Sequence, residues 1–187
     1  MRLFIAVNLP AETRGAIHHA VDPLRLIAPD AMWVAADNLH ITLKFLGEVP
    51  DVRVPPLRTA LEGLAAVHRP FTIELGGVGA FRNLRAPRIV WMAAAQEPKL
   101  ELLHHDVESA SAALGYTMDG KAFRPHVTLA RMRGPLGRQA ARTFGVAARN
   151  VGYAAEVNVR TVDLMEATLT PAGSRYTLVQ SAPLGGQ

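Results

Sequence analysis

Apolar and polar positions alternate in two different rhythms along this chain. A period of two marks strands, and a period of three to four marks helices. Arg2 to Leu9 is an apolar, strand-like run stopped by Pro10. Ala11 to Ile27 carries Ile17, Val21, Leu24 and Ile27 at helical spacing, with Pro23 breaking or kinking its last part. Met32-Trp33-Val34 reads as a short strand, and Leu39 to Leu46 as a longer one ended by Gly47 and Pro50. Val54 to Val67 predicts a helix whose buried stripe is Leu57, Leu61, Leu64 and Val67, with Pro55 and Pro56 in the first turn, where a missing N–H costs little.

In the remainder, Phe71 to Val78 and Arg88 to Ala94 predict strands, with Gly76-Gly77 a bulge or bend in the first. Pro98 to Leu114 predicts the strongest helix, stopped by Gly115. His126 to Met132 is a strand closed by Gly134-Pro135, and Leu136 to Ala147 a weaker helix. Val157 to Leu169, the turn at Pro171-Ala172-Gly173 and Tyr176 to Ser181 predict a closing hairpin, followed by a frayed tail from Pro183. Strand, helix and further strands thus occur twice. The pattern predicts an α+β fold of two lobes facing a central cleft, forming one structural unit over residues 1–187.

Two stretches repeat across the halves: His40-Ile41-Thr42-Leu43 and His126-Val127-Thr128-Leu129. Alternation along a strand puts each histidine and threonine on one face and the aliphatic residues on the other. An imidazole moves protons near neutral pH, and a hydroxyl donates to a phosphate oxygen. Two such pairs supply a base, an acid and two anion donors, as metal-free cleavage of a phosphodiester requires. His40, Thr42, His126 and Thr128 are therefore the expected catalytic set.

Composition narrows the alternatives. There are 187 residues, 49% hydrophobic, with no cysteine, so disulfides, thiolate nucleophiles and cysteine-ligated zinc are excluded. No His-x-x-x-His pair or phosphate-binding Gly-x-x-x-x-Gly-Lys loop is present, so neither metal nor other cofactor is expected. His18-His19, His68 and His104-His105 fall on predicted helices or their ends and read as structural or surface groups. A net charge of +4 favours an anionic partner. No apolar run is long enough to span a membrane and the N-terminus lacks a signal-peptide pattern, so a cytoplasmic monomer is the expectation.

With these motifs in place the chain resembles the two-histidine phosphoesterases, in particular the RNA 2′,3′-cyclic phosphodiesterase branch, also called 2′-5′ RNA ligases. The resemblance rests on Arg2-Leu3-Phe4-Ile5-Ala6, Asn38 through Gly47, Gly76 through Phe81, Phe123 through Arg131, and Pro171 through Tyr176. It implies a bilobal fold with a pseudo-twofold cleft lined by mainly antiparallel sheets, helices outside, and hydrolysis of a terminal RNA 2′,3′-cyclic phosphate to a 2′-phosphomonoester without a metal. It implies His40 as proton donor, His126 as proton acceptor, and Thr42 and Thr128 as holders of phosphate oxygens. The ligase name of the family implies, in addition, reversible joining of RNA ends through a 2′-5′ bond.

Around this set, Lys44 shares the His40 face of an ideal strand and is a candidate phosphate contact. Arg124 and Arg131 are candidate RNA contacts, although alternation puts Arg131 on the opposite face unless a bulge re-aims it. Phe45 is a candidate base-stacking residue, although alternation assigns it to the core. Two other readings use the same residues: the same chemistry on a small cyclic nucleotide or nucleotide-sugar cyclic phosphate, or a non-catalytic module that binds RNA ends.

Overall fold

The computed structural model describes residues 1–171 and 173–185. These residues form nine strands and five α-helices. In chain order these are β1 (Arg2–Asn8), α1 (Ala11–Ala20), α2 (Asp22–Ile27), β2 (Met32–Trp33), β3 (His40–Glu48), α3 (Val54–Val67), β4 (Phe71–Phe81) and β5 (Ile89–Ala94). They continue with α4 (Pro98–Ala113), β6 (His126–Arg131), α5 (Arg138–Arg149), β7 (Ala154–Val159), β8 (Thr161–Thr170) and β9 (Gly173–Pro183).

The strands form one antiparallel sheet in the order β7-β4-β5-β6-β3-β1-β8-β9, with β2 added beside β6. Its two halves are the expected lobes, but they are not the two halves of the chain. β4 and β5 join β6 and β7, while β8 and β9 return to β1 and β3. The halves meet along β3 and β6, at the single paired position Ile41↔Val127. Both residues are fully buried. Each buries a side chain worth about 1.5–3 kcal/mol against exposure, so the seam is held by apolar packing more than by a hydrogen-bond ladder.

The apolar stripes explain the layers. Leu57 and Leu61 of α3, Leu100, Leu103 and Val107 of α4, and Phe144 and Ala148 of α5 join the core that Ile5, Ile41, Leu43, Val90, Met92 and Val127 build from the sheet. Gly115 ends α4 at a φ of +85°, a conformation that favours glycine. The helix expected over 11–27 is two helices, because Val21 leaves helical geometry and Pro23 opens a new first turn. The strand expected over 157–169 is also two: β7 lies on one sheet edge beside β4, whereas β8 pairs β1 and β9. Gly76-Gly77 forms the expected bulge, with Gly77 at a φ of +80° and a register shift between Leu75 and Val78.

The tail is better anchored than expected. Pro183 belongs to β9, Leu184 is buried, and Gly185 N–H donates to the Ala65 carbonyl. Residues 186–187 and Ala172, at the tip of the predicted hairpin, lie outside the described residues. Among the described residues no helix is long and apolar enough to cross a membrane.

Candidate active site

Both His-x-Thr stretches open their strands, and both strands are bulged at the same place. The β1–β3 register passes from Ala6↔Thr42 to Ile5↔Lys44, so Leu43 is an extra residue. The β5–β6 register passes from Trp91↔Thr128 to Val90↔Ala130, so Leu129 is one too. A bulge reverses alternation beyond it. The residue after each bulge, Lys44 or Ala130, turns inward and is buried. The next, Phe45 or Arg131, turns outward, and Phe45 is 66% exposed.

This repeated bulge revises three expectations. Lys44, a candidate phosphate contact, turns inward and its ammonium is engaged there: Nζ donates to Glu108 Oε1 at 2.9 Å and Oε2 at 3.0 Å, and to the Thr117 carbonyl at 2.7 Å. Phe45 leaves the core position that alternation gave it, and Arg131 is re-aimed to the face of His126. Phe45, Arg124 and Arg131 line a cavity of about 800 Å³ together with Thr42, His126 and Thr128. His40 adjoins it through Thr42, its Nε2 standing 2.9 Å from Thr42 Oγ1.

The two histidines are mounted alike. Nδ1–H of His40 donates to the Asn38 carbonyl at 2.7 Å, and Nδ1–H of His126 to the Arg124 carbonyl at 2.8 Å. A carbonyl only accepts, so each Nδ1 carries a proton and each Nε2 is the nitrogen left for chemistry. Counting one residue either way from Ile41↔Val127 sets His40 opposite Thr128 and Thr42 opposite His126. Each histidine therefore has a threonine from the other motif across the seam.

Aromatic rings fix both imidazoles. Phe4 lies 4.9 Å from His40 between ring centres, and Tyr176 meets it edge-on at 5.2 Å. Phe81 meets His126 edge-on at 5.3 Å, and Trp91 lies 6.4 Å away. Phe4, Phe81 and Tyr176 fall within the stretches that carried the resemblance, though alternation gave them no role; Trp91 had no sequence signal. Gly79 makes room for it: a Cβ there would stand 2.3 Å from the indole ring.

The segment from Asp119 to Arg124 forms a further wall of the cavity. Glu108 organises it, because its Oε2 accepts from Asp119 N–H at 2.9 Å while the same carboxylate holds Lys44. His104 was expected to be structural or surface. It lines the cavity, stacked on Phe123 with ring centres 3.9 Å apart. Burial lowers the His104 pKa, with Glu108 and Asp119 opposing the shift.

The pKa of His40 is also lowered. Burial is the main cause, and the positive charge of His126 adds to it, while the hydrogen bond to Asn38 opposes both. His40 thus feels the charge of His126. An anion between them would favour protonation, because it offsets both causes. Among the described residues no three His, Asp or Glu side chains come together as a metal site would require.

Comparison with known proteins identifies the family and the fold. Residues 13–170 match the profile of the 2′-5′ RNA ligase superfamily. The RNA 2′,3′-cyclic phosphodiesterase of Thermus thermophilus is 34% identical over 194 aligned residues, covering 100% of this chain and 92% of that protein. That of Geobacillus stearothermophilus is 40% identical over 128 residues, covering 68% of this chain but 41% of a longer relative. Among solved structures, TT0787 of Thermus thermophilus superposes with a TM-score of 0.78 at 30% identity, each chain covered completely. E. coli LigT complexed with 3′-AMP gives 0.70 at 30% identity, covering 98% of this chain and 97% of that one. The chain belongs to the 2′-5′ RNA ligase superfamily.

Proposed function

We propose that this protein hydrolyses a terminal 2′,3′-cyclic phosphate of RNA to a 2′-phosphomonoester, using His40 and His126 as paired proton carriers. Relatives matching nearly the whole chain bear the name of that activity. The observation that carries the reading is the mounting of the rings. Two imidazoles on neighbouring strands each have Nδ1–H on a backbone carbonyl, which leaves Nε2 of both as the working nitrogen; that of His40 is bonded to the Thr42 hydroxyl in the free protein and exchanges this partner for the substrate.

In this reading the cyclic phosphate sits over the seam, with the Thr42 and Thr128 hydroxyls donating to its non-bridging oxygens. Nε2 of His126 takes a proton from a water as that water attacks phosphorus. The bond from phosphorus to O3′ breaks, and Nε2 of His40 gives O3′ its proton. The products are a 3′-hydroxyl and a 2′-phosphate, and the proton count balances. Protonated His40 is disfavoured in the free protein. The substrate's negative charge, brought between the rings, supplies what the resting site lacks. Arg131 and Arg124 add positive charge at the cavity, and exposed Phe45 offers a face for the terminal base. With the 5′-hydroxyl of a second RNA end attacking phosphorus in place of water, the same steps form a 2′-5′ linkage. The unit is read as acting alone, since one chain supplies both motifs.

The test is product identity. RNA ending in a 2′,3′-cyclic phosphate is incubated with the protein and chelator, and the product is separated from authentic 2′- and 3′-phosphate standards. The proposal expects the 2′-phosphate. A 3′-phosphate product, or activity that chelation abolishes, overturns it. A module that only binds RNA ends would give no product.

A further inference from the structure

The positive charge of this chain is concentrated in two stretches that contain no acid. Residues 75–96 and 120–155 hold ten of its 20 lysines and arginines and none of its 16 aspartates and glutamates. The rest of the sequence is therefore net negative. The stretches include β5 and β6, which pair along their length with Ile89 opposite Arg131. Folding thus brings both acid-free segments together beside the His126 motif.

There they line two cavities beyond the central one. The first, about 460 Å³, has Met32, Phe81, Ile89 and Met132 as its apolar lining and Arg82, Arg88 and Arg131 as its cations. It shares Phe81, Ile89 and Arg131 with the central cavity. The second, about 330 Å³, shares Arg82, Arg88 and Met132 with the first and adds Arg133. Backbone hydrogen bonds fix the junction: Arg88 N–H donates to the Phe81 carbonyl, and Met132 N–H to the Arg88 carbonyl. Arg82, Arg88, Arg131 and Arg133 are exposed. Among the described residues none of the four is within ion-pair distance of a carboxylate.

Four arginines without acids repel one another, an arrangement that stabilises nothing in the free protein. A polyanion removes that cost. An apolar lining with arginines along it suits a single nucleic-acid strand, whose bases and sugars take the apolar part and whose phosphates take the guanidiniums. A lone phosphate would leave Met32, Ile89 and Met132 without a role.

We propose that the two cavities form a track for the RNA strand on the 5′ side of the terminal nucleotide, with Arg82, Arg88 and Arg133 holding successive backbone phosphates. Phe81 and Arg131 form the threshold where the strand leaves the central cavity. This rests on the proposed action at RNA ends and sharpens it: the substrate is an oligonucleotide end, not a free cyclic mononucleotide. It also places the track on the β5–β6 side of the seam, leaving the Phe4 and Tyr176 side uninvolved.

The test measures binding and turnover separately. Fluorescence anisotropy gives Kd for a labelled RNA dimer and octamer, each ending in a 2′-phosphate, with wild-type protein, the triple variant R82Q/R88Q/R133Q and a charge-matched control, R2Q/R69Q/R160Q, drawn from outside both stretches. The octamer is expected to bind wild-type and control protein more tightly than the dimer. In the groove variant that advantage shrinks to within about twofold, and the slope of log K against log salt falls by about 2, at roughly 0.7 per phosphate contact. Turnover of a cyclic mononucleotide by the groove variant stays at the wild-type rate. Equal binding of dimer and octamer by wild-type protein, or an octamer advantage that survives the triple substitution or is lost equally in the control, overturns the track. Absence of turnover on every substrate with the length-dependent binding intact overturns the hydrolytic reading and leaves the track standing.

Discussion

Ile41 and Val127 face each other across the seam of the sheet, and neither has any exposed surface. From this one paired position the rest of the site follows by counting. A residue to either side are the two histidines and two threonines, each histidine opposite the other motif's threonine. One residue beyond each threonine is a bulged leucine, and two beyond that is a side chain returned to the open face. The near-twofold symmetry of the site is thus a symmetry of backbone register.

His40 is the ring to follow by NMR. Burial and the charge of His126 both hold its pKa below the ordinary value of 6.5. A histidine whose pKa is lowered resists protonation, so its titration is displaced to lower pH. The imidazole signal of His40 is expected to titrate below 6.5 in the free protein and to move upward in H126Q, which removes one cause and leaves burial. Saturating 2′-nucleoside monophosphate should move it upward further. A His40 titration unchanged by H126Q would disconnect the two rings.

Lys44 and Glu108 form a buried ion pair that also holds the chain at Thr117 and at Asp119, where the cleft wall begins. Removing one partner leaves a charge buried alone. Lys44→Met should therefore cost about 3–5 kcal/mol in a denaturant melt. The K44M/E108L double variant should recover part of that stability, yet still show an elevated KM, because the wall has lost its anchor at Asp119. Equal loss in single and double variants would mean that packing, and not charge, sets the cost.

Gly79 should prove intolerant of even one methyl group. A Cβ at this position would collide with the Trp91 ring, at 2.3 Å from its nearest atom. Gly79→Ala is expected to displace the indole that lies beside His126 and to lower kcat more than it raises KM. The double variant G79A/W91F, with a smaller ring, should regain part of the lost rate. Wild-type kinetics in Gly79→Ala would show that Trp91 has no part in positioning His126.

Much of this architecture was legible in the chain. Helix α3 falls over Val54–Val67 as predicted, although Val67, assigned to its buried stripe, is exposed at the last turn, and α4 begins at Pro98 and stops before Gly115. The His-x-Thr pairs were legible because period-two alternation is local. The bulges were not. Leu43 and Leu129 are ordinary apolar residues with no glycine or proline beside them, and a bulge made from such residues leaves no compositional mark. Everything downstream of them was therefore assigned to the wrong face: Lys44 outward, Phe45 and Arg131 inward. The crossing of strands between sheet halves was hidden for a different reason. Alternation reports which face of a strand is buried, and it carries no information about the neighbour. His104 joined the cavity because the loop after α4 folds back over that helix, a long-range event fixed by Glu108.

That two imidazoles act on one phosphate is tested most directly by rates of ring opening. His40→Ala, His126→Ala and the double variant are compared on a 2′,3′-cyclic phosphate at an RNA end, in chelator, with unchanged melting temperatures. Each single substitution is expected to cost about 10²–10⁴-fold. The double substitution should cost less than the product of the two, as for groups that act together. A correctly folded single variant that keeps close to the wild-type rate would contradict the claim.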